Sequence, residues 1–431
     1  MHKSILTLSI PNIISNITIP LSASIDTALM GHLSAKHLGA IALGSMIFTF
    51  IYGSFNFLRM GTTGMVAQSY GKGEQKAMSL TLYRALLLAL IISFLIVLFQ
   101  KPIIEVAIYL LNAYEYEEFV RDYFDVRIYA VFGAMLNFTL IGFFFGVSNS
   151  MIPLFMTVTI NLSNIVLSYL FVYKFDMGIS GVALGTLISQ YLGLAVGLYY
   201  LKKEFFLQRV KFDEIVKSDK LLRFFKINRD IFIRTITVTT TLSIFYSLAS
   251  KNSTETLAIA TILMQFMTWM AYAIDGFANA GESLVGKYFG AKDRENFFKA
   301  VRYSVWYGFF LALIFSLVYL LFARELLELF TSDSLVIEKT LEYKFFLVIF
   351  PIISFLAFIF DGIMIGMTEV KVLRDSVLVG FITFLGSFYI LKSYNYEFWL
   401  MATFGLFFLV RGLYQLIWFR DFLKGVDFAK E

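Results

Sequence analysis

The segment from Ile10 to Gly31, IPNIISNITIPLSASIDTALMG, decides how the chain must be interpreted. It is long and apolar enough to enter a membrane, yet it contains two prolines, Pro11 and Pro20, and one carboxylate, Asp26. A charged side chain inside a membrane helix costs about 2.5–3.5 kcal/mol on insertion scales and is normally retained for a function. Because prolines interrupt the helical hydrogen-bond ladder, they permit this helix to bend. The segment therefore predicts a membrane helix with a functional carboxylate.

The composition indicates a membrane protein. Of the 431 residues, 58% are hydrophobic and only 16% are charged, whereas soluble domains carry roughly 25% charged residues. The net charge of +5 lies between apolar segments, where membrane topology explains it, so no nucleic-acid partner is expected. Cysteine is absent, which excludes thiolate chemistry. The three histidines, His2, His32 and His37, lie at or outside span ends, so no buried histidine metal centre is expected.

Twelve apolar segments of roughly 20 residues can be counted along the chain. They lie near residues 8–31, 40–70, 79–99, 123–147, 152–174, 179–201, 229–250, 257–286, 300–322, 343–367, 372–391 and 396–419. Most Lys and Arg fall in the segments that are cytoplasmic if the N-terminus is inside. We therefore expect a multi-pass protein of the cell (inner) membrane with both termini in the cytoplasm. The segment 100–127 is predicted to be an acidic outer loop.

The sequence contains an internal repeat. MVAQSYGKGEQKA (65–77) at the end of the second span resembles SLVGKYFGAKDRENFFKA (283–300) at the end of the eighth. Aligning Gly71 with Gly290 gives an offset of 219 residues. Two further glycine pairs match at an offset of 220, Gly142 with Gly362 and Gly146 with Gly366. Chance similarity between glycine-rich spans is the alternative, but the two offsets agree.

The repeat predicts the fold class and the domain organisation. Six is an even number of spans, so both halves have the same orientation and are related by a pseudo-two-fold axis along the membrane normal. We expect an all-α integral membrane protein with twelve transmembrane helices in two six-helix lobes. The expected segments are an N-terminal lobe at 1–201, a cytoplasmic linker at 202–228 and a C-terminal lobe at 229–431.

Polar residues of the fifth and sixth spans recur at helical spacing. Those that share a helix face are Asn161, Asn164 and Ser168 in span five, and Thr186 and Gln190 in span six. The topology places Asp26, Ser168 and Thr186 one to two turns from the outer ends of their helices. We therefore expect one polar cluster in the outer half of the first lobe. Inter-helix hydrogen bonding alone also explains such residues, above all Asn161 and Gln190, which are otherwise candidates for the substrate cavity.

Other ionisable residues lie within the predicted spans, namely Arg59, Arg234, Asp275, Glu282, Asp361 and Arg411. Arg234 and Arg411 are near cytoplasmic ends, so we expect them to extend to the membrane interface. A buried guanidinium needs a carboxylate or several carbonyl partners. The residues leave open whether Arg59 forms an ion pair with one of the three acids or acts in transport.

Several stretches together resemble the multidrug and toxic compound extrusion (MATE) transporters, in particular their DinF-type branch. They are Pro11, Asn16 and Pro20 with DTALMGHL (26–33), FLRMGTTGMVAQSYG (57–71), PLFMTVTINLSNIVLS (153–168), GISGVALGTLISQY (178–191), DGFANAGESLVGKYFGAKDR (275–294) and DGIMIGMTEVKVLRDS (361–376). The resemblance implies monomeric antiporters in the bilayer that export small amphiphilic or cationic organic compounds. Such export uses an inward H⁺ or Na⁺ gradient and no organic cofactor.

The resemblance also implies roles for individual residues. Asp26 looks like the span-one aspartate that takes the coupling cation, and Asn164 and Thr186 fall on the polar positions that accompany it. Ser168 stands where many relatives have an aspartate. One fewer carboxylate weakens a Na⁺ site, because hard cations require several oxygen ligands. We therefore expect H⁺ coupling through Asp26, with Na⁺ bound at Asp26 as the alternative.

Two further functions were weighed against drug antiport. A flippase for lipid-linked or other amphiphilic cargo usually has a more basic central cavity, and here Arg59 is the one obvious deep cation. An integral-membrane enzyme needs a cluster of His, Asp and Glu at one membrane face, which the three histidines do not provide. The sequence therefore predicts a transporter rather than an enzyme.

Overall fold

The computed structural model describes residues 1–31, 33–205, 207–216, 218–329 and 334–425. His32, and residues 206 and 217 of the predicted linker, lie outside this part of the chain. All regular secondary structure in the described ranges is helical. The helices before the linker are α1 (His2–Gly31), α2 (Ala35–Phe55), α3 (Phe57–Gly71), α4 (Gln75–Leu98), α5 (Gln100–Leu111), α6 (Glu117–Arg127), α7 (Ala130–Gly146), α8 (Met151–Tyr173) and α9 (Gly178–Glu204), with a 3₁₀ turn at Tyr114–Tyr116.

The remaining helices include one short linker helix and the second half of the chain. They are α10 (Phe212–Ile215), α11 (Ser218–Asn252), α12 (Thr254–Gly290), α13 (Arg294–Leu321), α14 (Ala323–Glu328), α15 (Ser334–Glu342), α16 (Lys344–Met367), α17 (Val370–Leu391) and α18 (Tyr396–Gly425). Within the described ranges, eleven stretches are long and apolar enough to cross a membrane, and one bent helix pair supplies a twelfth. The predicted twelve-span, all-α membrane fold is confirmed.

The chain divides into two compact units. One comprises Met1–Ser9 and Lys226–Glu431, and the other comprises Ile10–Phe225. We call them the second-half unit and the first-half unit. The division falls between Ser9 and Ile10, so the first turns of α1 belong to the second-half unit and the remainder belongs to the first-half unit.

The two halves repeat the same helix contacts. A Cβ on Gly142 would lie 2.5 Å from the backbone oxygen of Arg59, and a Cβ on Gly362 would lie 2.2 Å from that of Ala278. A Cβ on Gly366 would likewise lie 2.4 Å from the backbone oxygen of Glu282. Only glycine permits such contact between α3 and α7 and between α12 and α16. The glycine pairs therefore repeat because the same close helix crossing occurs once in each half of the chain.

Backbone conformation repeats at the same offsets. Gly73 (φ 72°) and Lys292 (φ 57°) lie 219 residues apart, and each adopts the left-handed conformation in the turn after α3 or α12. Ser148 and Thr368, both at φ 59°, lie 220 residues apart in the turns after α7 and α16. Non-glycine residues occupy this region rarely, so the agreement is independent support for the two homologous halves.

Three segments differ from the sequence-based expectation. The second span is not one helix, because α2 ends at Phe55 and α3 begins at Phe57. Between them, the backbone amide of Asn56 donates a hydrogen bond to the carbonyl oxygen of Gly53 at 3.4 Å. The fourth span bends by 52° between Tyr114–Arg127 and Ala130–Gly146. The segment 100–127 is largely helical, since α6 buries Val120, Tyr123 and Phe124 on one face.

Candidate cation-coupling site

Asp26 lies on α1 one helical turn after Ser22, on the face that meets α8. Its carboxylate interacts with the side chains of Ser168 and Asn164 on α8. The residue is partly exposed, but its Oδ1 atom is buried and accepts no hydrogen bond from the described residues. Most buried polar atoms are hydrogen-bonded, and an exception requires an explanation. Asp26 Oδ1 is therefore the acceptor that the described side chains of the cluster leave unsatisfied.

Asn164 is the centre of the polar cluster. Its Oδ1 accepts a hydrogen bond from Ser22 Oγ at 2.6 Å, and its Nδ2 donates to Thr186 Oγ1 at 2.9 Å and to Ser168 Oγ at 3.4 Å. These four side chains are buried, with exposed fractions between 0% and 8%. The cluster therefore joins α1, α8 and α9, and it brings together Asp26, Asn164, Ser168 and Thr186 as the sequence analysis expected.

Gly185 allows α8 and α9 to approach closely enough to form this cluster. A Cβ at position 185 would lie 2.8 Å from the backbone nitrogen of Ser168 and 2.9 Å from its Oγ. Both distances are shorter than any unstrained carbon contact, so a side chain at this position displaces Ser168. Thr186 is the next residue, and its distance to Asn164 depends on the same helix spacing.

Gly185→Ala is expected to destabilise the protein by about 1–3 kcal/mol, because one inserted methyl group overpacks the contact between α8 and α9. Substrate affinity should fall as well, since Ser168 and Thr186 move relative to Asp26. The matched control is Gly53→Ala in α2, where a Cβ meets nothing within 4 Å. Thermal unfolding of the purified protein measures the effect, and equal unfolding midpoints for the two variants would contradict the assigned role of Gly185.

Asn161 and Gln190 lie beside the cluster and bond to other residues. Asn161 Nδ2 donates to Thr18 Oγ1 at 2.7 Å, which links α8 to α1. Asn137 Nδ2 donates to the backbone oxygen of Gln190 at 2.8 Å and to its Oε1 at 3.1 Å, which links α7 to α9. Both side chains are partly exposed. The inter-helix bonds account for Gln190 as a packing residue, while Asn161 borders the Asp26 face of α1.

Two residues of this site, Ser22 and Arg127, were not predicted from the sequence. Ser22 is four residues before Asp26, and that spacing was a usable signal for a shared helix face. Arg127 belongs to a segment that was assigned to an outer loop, so nothing in the sequence connected it to Asp26. In the structure its guanidinium lies over the rings of Phe48 (4.8 Å) and Tyr123 (5.1 Å) and attracts the Asp26 carboxylate.

Both prolines of α1 lie inside the helix. Neither Pro11 nor Pro20 can donate a backbone hydrogen bond, so one rung of the helical ladder is missing at each. Pro20 lies two residues before Ser22, between the first part of α1 and the part that carries Ser22 and Asp26. The helix is thus weakest next to the residues that carry the polar cluster.

A second buried charged cluster surrounds Asp361 in the second-half unit. Its carboxylate accepts hydrogen bonds from Arg411 Nη2 at 2.8 Å, from Gln415 Nε2 at 2.8 Å and from Arg234 Nη2. Gln415 also donates to Ser376 Oγ at 3.0 Å, so the cluster connects α11, α16, α17 and α18. Asp361 is therefore saturated with donors, in contrast to Asp26.

The expectation that Arg234 and Arg411 extend to the membrane interface is wrong. Arg411 is 1% exposed, and its guanidinium lies over Phe407 and Phe408 at 5.3 and 5.6 Å. A guanidinium can remain buried when a carboxylate compensates its charge, and Asp361 does so. The number of residues between an arginine and the end of its span does not reveal whether a carboxylate on another helix, such as Asp361, lies close to it in the structure.

The remaining ionisable candidates lie in both units. Arg59 lies in α3 of the first-half unit, with its guanidinium 5.8 Å from the centre of the Phe145 ring. Glu282 is buried and Asp275 is partly exposed, both on α12 of the second-half unit. Asp361 has its guanidinium partners within its own unit, Arg234 and Arg411.

The fold and the site define a class of protein: a polytopic membrane protein of two repeated six-span halves, with a carboxylate in a polar cluster of the first half. Comparison with protein families gives the particular family. The family model described as MatE matches residues 11–170 and 231–390. These two segments cover most of the chain, one in each half, and the chain belongs to this family of membrane transporters.

Relatives and solved structures agree with the family assignment. The chain is 33% identical to DNA damage-inducible protein F of Escherichia coli K12, over 99% of this chain and 94% of the relative. It is 26% identical to a probable multidrug resistance protein NorM of Thermotoga maritima, over 78% and 74% of the two chains. It is similar in fold to an outward-facing multidrug resistance MATE family transporter, with a TM-score of 0.89 at 20% identity over 100% and 97% of the chains.

Proposed function

We propose that the chain exports small amphiphilic or cationic organic compounds in exchange for protons, with Asp26 as the proton carrier. The protein works as a monomer in the cell membrane, with both termini in the cytoplasm and the Asp26 cluster in the outer half of the first lobe. Membership of a transporter family supports this function, as does the name of the NorM relative, a probable multidrug resistance protein. The distribution of Lys and Arg supports the orientation.

The observation that carries the proposal is the contrast between Asp26 and its neighbours. Within the described polar cluster, Asp26 is the one carboxylate, and the residues around it are hydroxyls and an amide. Its buried Oδ1 accepts no hydrogen bond there. An unsatisfied, desolvated carboxylate oxygen is costly when charged, and either a proton or a cation removes that cost. Asp26 can therefore bind a proton and a cationic substrate in alternation.

The neutral oxygens of the cluster favour a proton over Na⁺. Asn164 Oδ1 already accepts a hydrogen bond from Ser22, and Thr186 Oγ1 donates its hydrogen to the backbone oxygen of Val182. Ser168 Oγ lies at hydrogen-bonding distance from Asn164 Nδ2, so its own hydrogen is available to the carboxylate. Hard cations need several free oxygen ligands. A Na⁺ ion would have one carboxylate and only the remaining lone pairs of these neutral oxygens as ligands, whereas a proton needs only Asp26.

Exchange follows from competition at one carboxylate. A proton that reaches Asp26 from outside neutralises the site, which weakens its attraction for a cationic compound and releases it. Loss of the proton toward the cytoplasm restores the charge and the affinity. A ligand shifts a conformational equilibrium only as far as its affinities for the two states differ. The bend permitted at Pro20 provides a way for the Ser22–Asp26 face of α1 to move between those states.

Purified protein in lipid vesicles tests the coupling ion directly. A fluorescent cation such as ethidium should be transported when a pH gradient alone is imposed, and not when a Na⁺ gradient alone is imposed. Vesicles without protein are the control. Transport driven by the Na⁺ gradient alone would replace proton coupling with Na⁺ coupling. Movement of a lipid-linked cargo, without drug transport under either gradient, would support a flippase instead.

A further inference from the structure

A pocket in the second-half unit combines positive charge with an open surface. It lies at the start of α13, has a volume of about 460 Å³ and is lined by Arg294, Glu295, Phe298, Lys299 and Arg302. Three basic residues against one acid give it a net charge of +2. Arg294 lies 5.9 Å from the ring centre of Phe298, so the pocket has an aromatic wall beside its cations. None of these residues belongs to the cation-coupling site.

The same face of α13 is apolar beyond the pocket. Trp306 and Phe310 follow Arg302 at intervals of four residues, and their side chains are 48% and 52% exposed. The strip continues through further exposed residues, Leu313, Ile314, Leu317 and Leu321. A helix face with cations at its start and large exposed apolar side chains along the rest of a membrane span matches an amphiphile with an anionic head.

The first half of the chain fills the equivalent place with its own residues. At the offset of 219, Glu295 corresponds to Lys76 and Phe298 to Ser79, both at the start of α4. Lys76 Nζ forms an ion pair with Glu214 of the linker at 2.7 Å, and Ser79 Oγ accepts a hydrogen bond from the backbone of Gln208 at 3.1 Å. A linker segment that contributes Glu214 therefore covers the start of α4, whereas no described segment forms such contacts at the basic start of α13.

Arg84 secures that segment to α4. Its Nη2 donates to the backbone oxygen of Glu214 at 2.7 Å, and its Nε donates to that of Ile215 at 2.8 Å. The side chain is 4% exposed. At the offset of 219, Arg84 corresponds to Tyr303, so the residues that hold the linker against α4 are replaced at α13, where a different set of basic residues lines the pocket.

We propose that the pocket at the start of α13 binds the headgroup of an anionic phospholipid, with the acyl chains along Trp306 and Phe310. The phosphate would lie between Arg294 and Arg302, which extend from one face of the helix at a spacing of eight residues. Arginine is suited to phosphate because its planar guanidinium donates two parallel hydrogen bonds. Lys299 is held by Glu295 and contributes charge to the rim.

Native mass spectrometry of the full-length protein in detergent tests the proposal. Phosphatidylglycerol should bind, phosphatidylcholine should bind more weakly, and inorganic phosphate should not compete, because it lacks the acyl chains. Each basic residue near an anionic lipid surface contributes about a fivefold gain in affinity. Arg302→Gln should therefore weaken phosphatidylglycerol binding about fivefold, and Arg294→Gln with Arg302→Gln about 25-fold.

The matched control is Lys202→Gln with Lys203→Gln, which removes two exposed cations at the end of α9 and should leave the affinity unchanged. An equal loss of phosphatidylglycerol affinity in both double variants, or no loss in the α13 double variant, would overturn the proposed lipid site. Competition by inorganic phosphate would show a phosphate site rather than a lipid site. A chain that ends at Gly425 should bind phosphatidylglycerol like the full chain. Much tighter binding by this shortened chain would make residues 426–431 the natural occupant and overturn the lipid proposal.

Discussion

Asp26→Asn should reduce proton-driven drug export to the level of vesicles without protein, while the variant remains folded. Asparagine has nearly the shape of aspartate and can contact Ser168 and Asn164, but it cannot take up and release a proton. Removal of a partly desolvated charge should not lower stability, since no described donor satisfies Oδ1 of Asp26. Transport of ethidium under an imposed pH gradient measures the loss, and thermal unfolding confirms that the protein is folded.

The matched control for Asp26 is Asp125→Asn. Asp125 is an exposed carboxylate on α6 of the same unit, so the substitution makes the same chemical change without touching the polar cluster. This variant should transport at the wild-type rate. If Asp26→Asn transports as fast as Asp125→Asn, Asp26 does not carry the proton.

Unlike Asp26→Asn, the substitution Asp361→Asn should cause a large loss of stability. The substitution leaves the guanidinium of Arg411, which is 1% exposed, without its carboxylate partner. Removal of one partner from a buried ion pair typically costs about 3–5 kcal/mol, because the remaining charge stays desolvated. The yield of folded protein and its unfolding midpoint should both fall markedly. Thermal unfolding in detergent is the direct measurement.

Two comparisons make the Asp361 prediction specific. Asp375→Asn removes a partly exposed acid that pairs with Arg374, and exposed pairs contribute only about 0–1 kcal/mol. Arg411→Met together with Asp361→Asn should recover part of the stability, because the more deeply buried of the two uncompensated guanidinium groups is removed and only that of Arg234 remains. If Asp361→Asn is no more destabilising than Asp375→Asn, the cluster around Asp361 does not stabilise the second-half unit.

The carboxylates of Asp26 and Asp361 differ in the hydrogen bonds that their surroundings provide. Asp26 and Asp361 are both acids within membrane helices, and the sequence predicted cation coupling at Asp26 and an ion pair as one role for Asp361. Asp361 accepts hydrogen bonds from two arginines and a glutamine, so its charge is compensated. Asp26 has a buried oxygen that accepts no hydrogen bond from the described residues. This contrast supports the proposal that Asp26 couples protons and that Asp361 stabilises the second-half unit.

Features that depend on periodic pattern were predictable from the sequence. Apolar spans of membrane length, the glycine pairs at offsets of 219 and 220, and the shared face of Asn164 and Ser168 all follow from helix geometry. The repeat was visible because Gly142 and Gly362 contact a backbone oxygen on a neighbouring helix. Such contacts exclude every side chain, so both halves require glycine.

Features that depend on a partner distant in the chain were not predictable. The charges of Arg411 and Asp361 lie 50 residues apart and meet only through the packing of α16 on α18. Arg127 reaches the surroundings of Asp26 because α6 is a helix with one buried face rather than a loop. The breaks at Asn56 and between α6 and α7 interrupt apolar runs that contain no proline, so composition gave no signal for them.

Competition between proton and substrate at Asp26 can be measured as proton release by purified protein in weakly buffered detergent solution when a transported cation is added. If proton and substrate compete for Asp26, the wild-type protein should release up to about one proton per molecule over the pH range in which Asp26 is protonated. Asp26→Asn should release none, and Asp125→Asn should behave like the wild type. Equal proton release by the wild type and by Asp26→Asn would contradict the account.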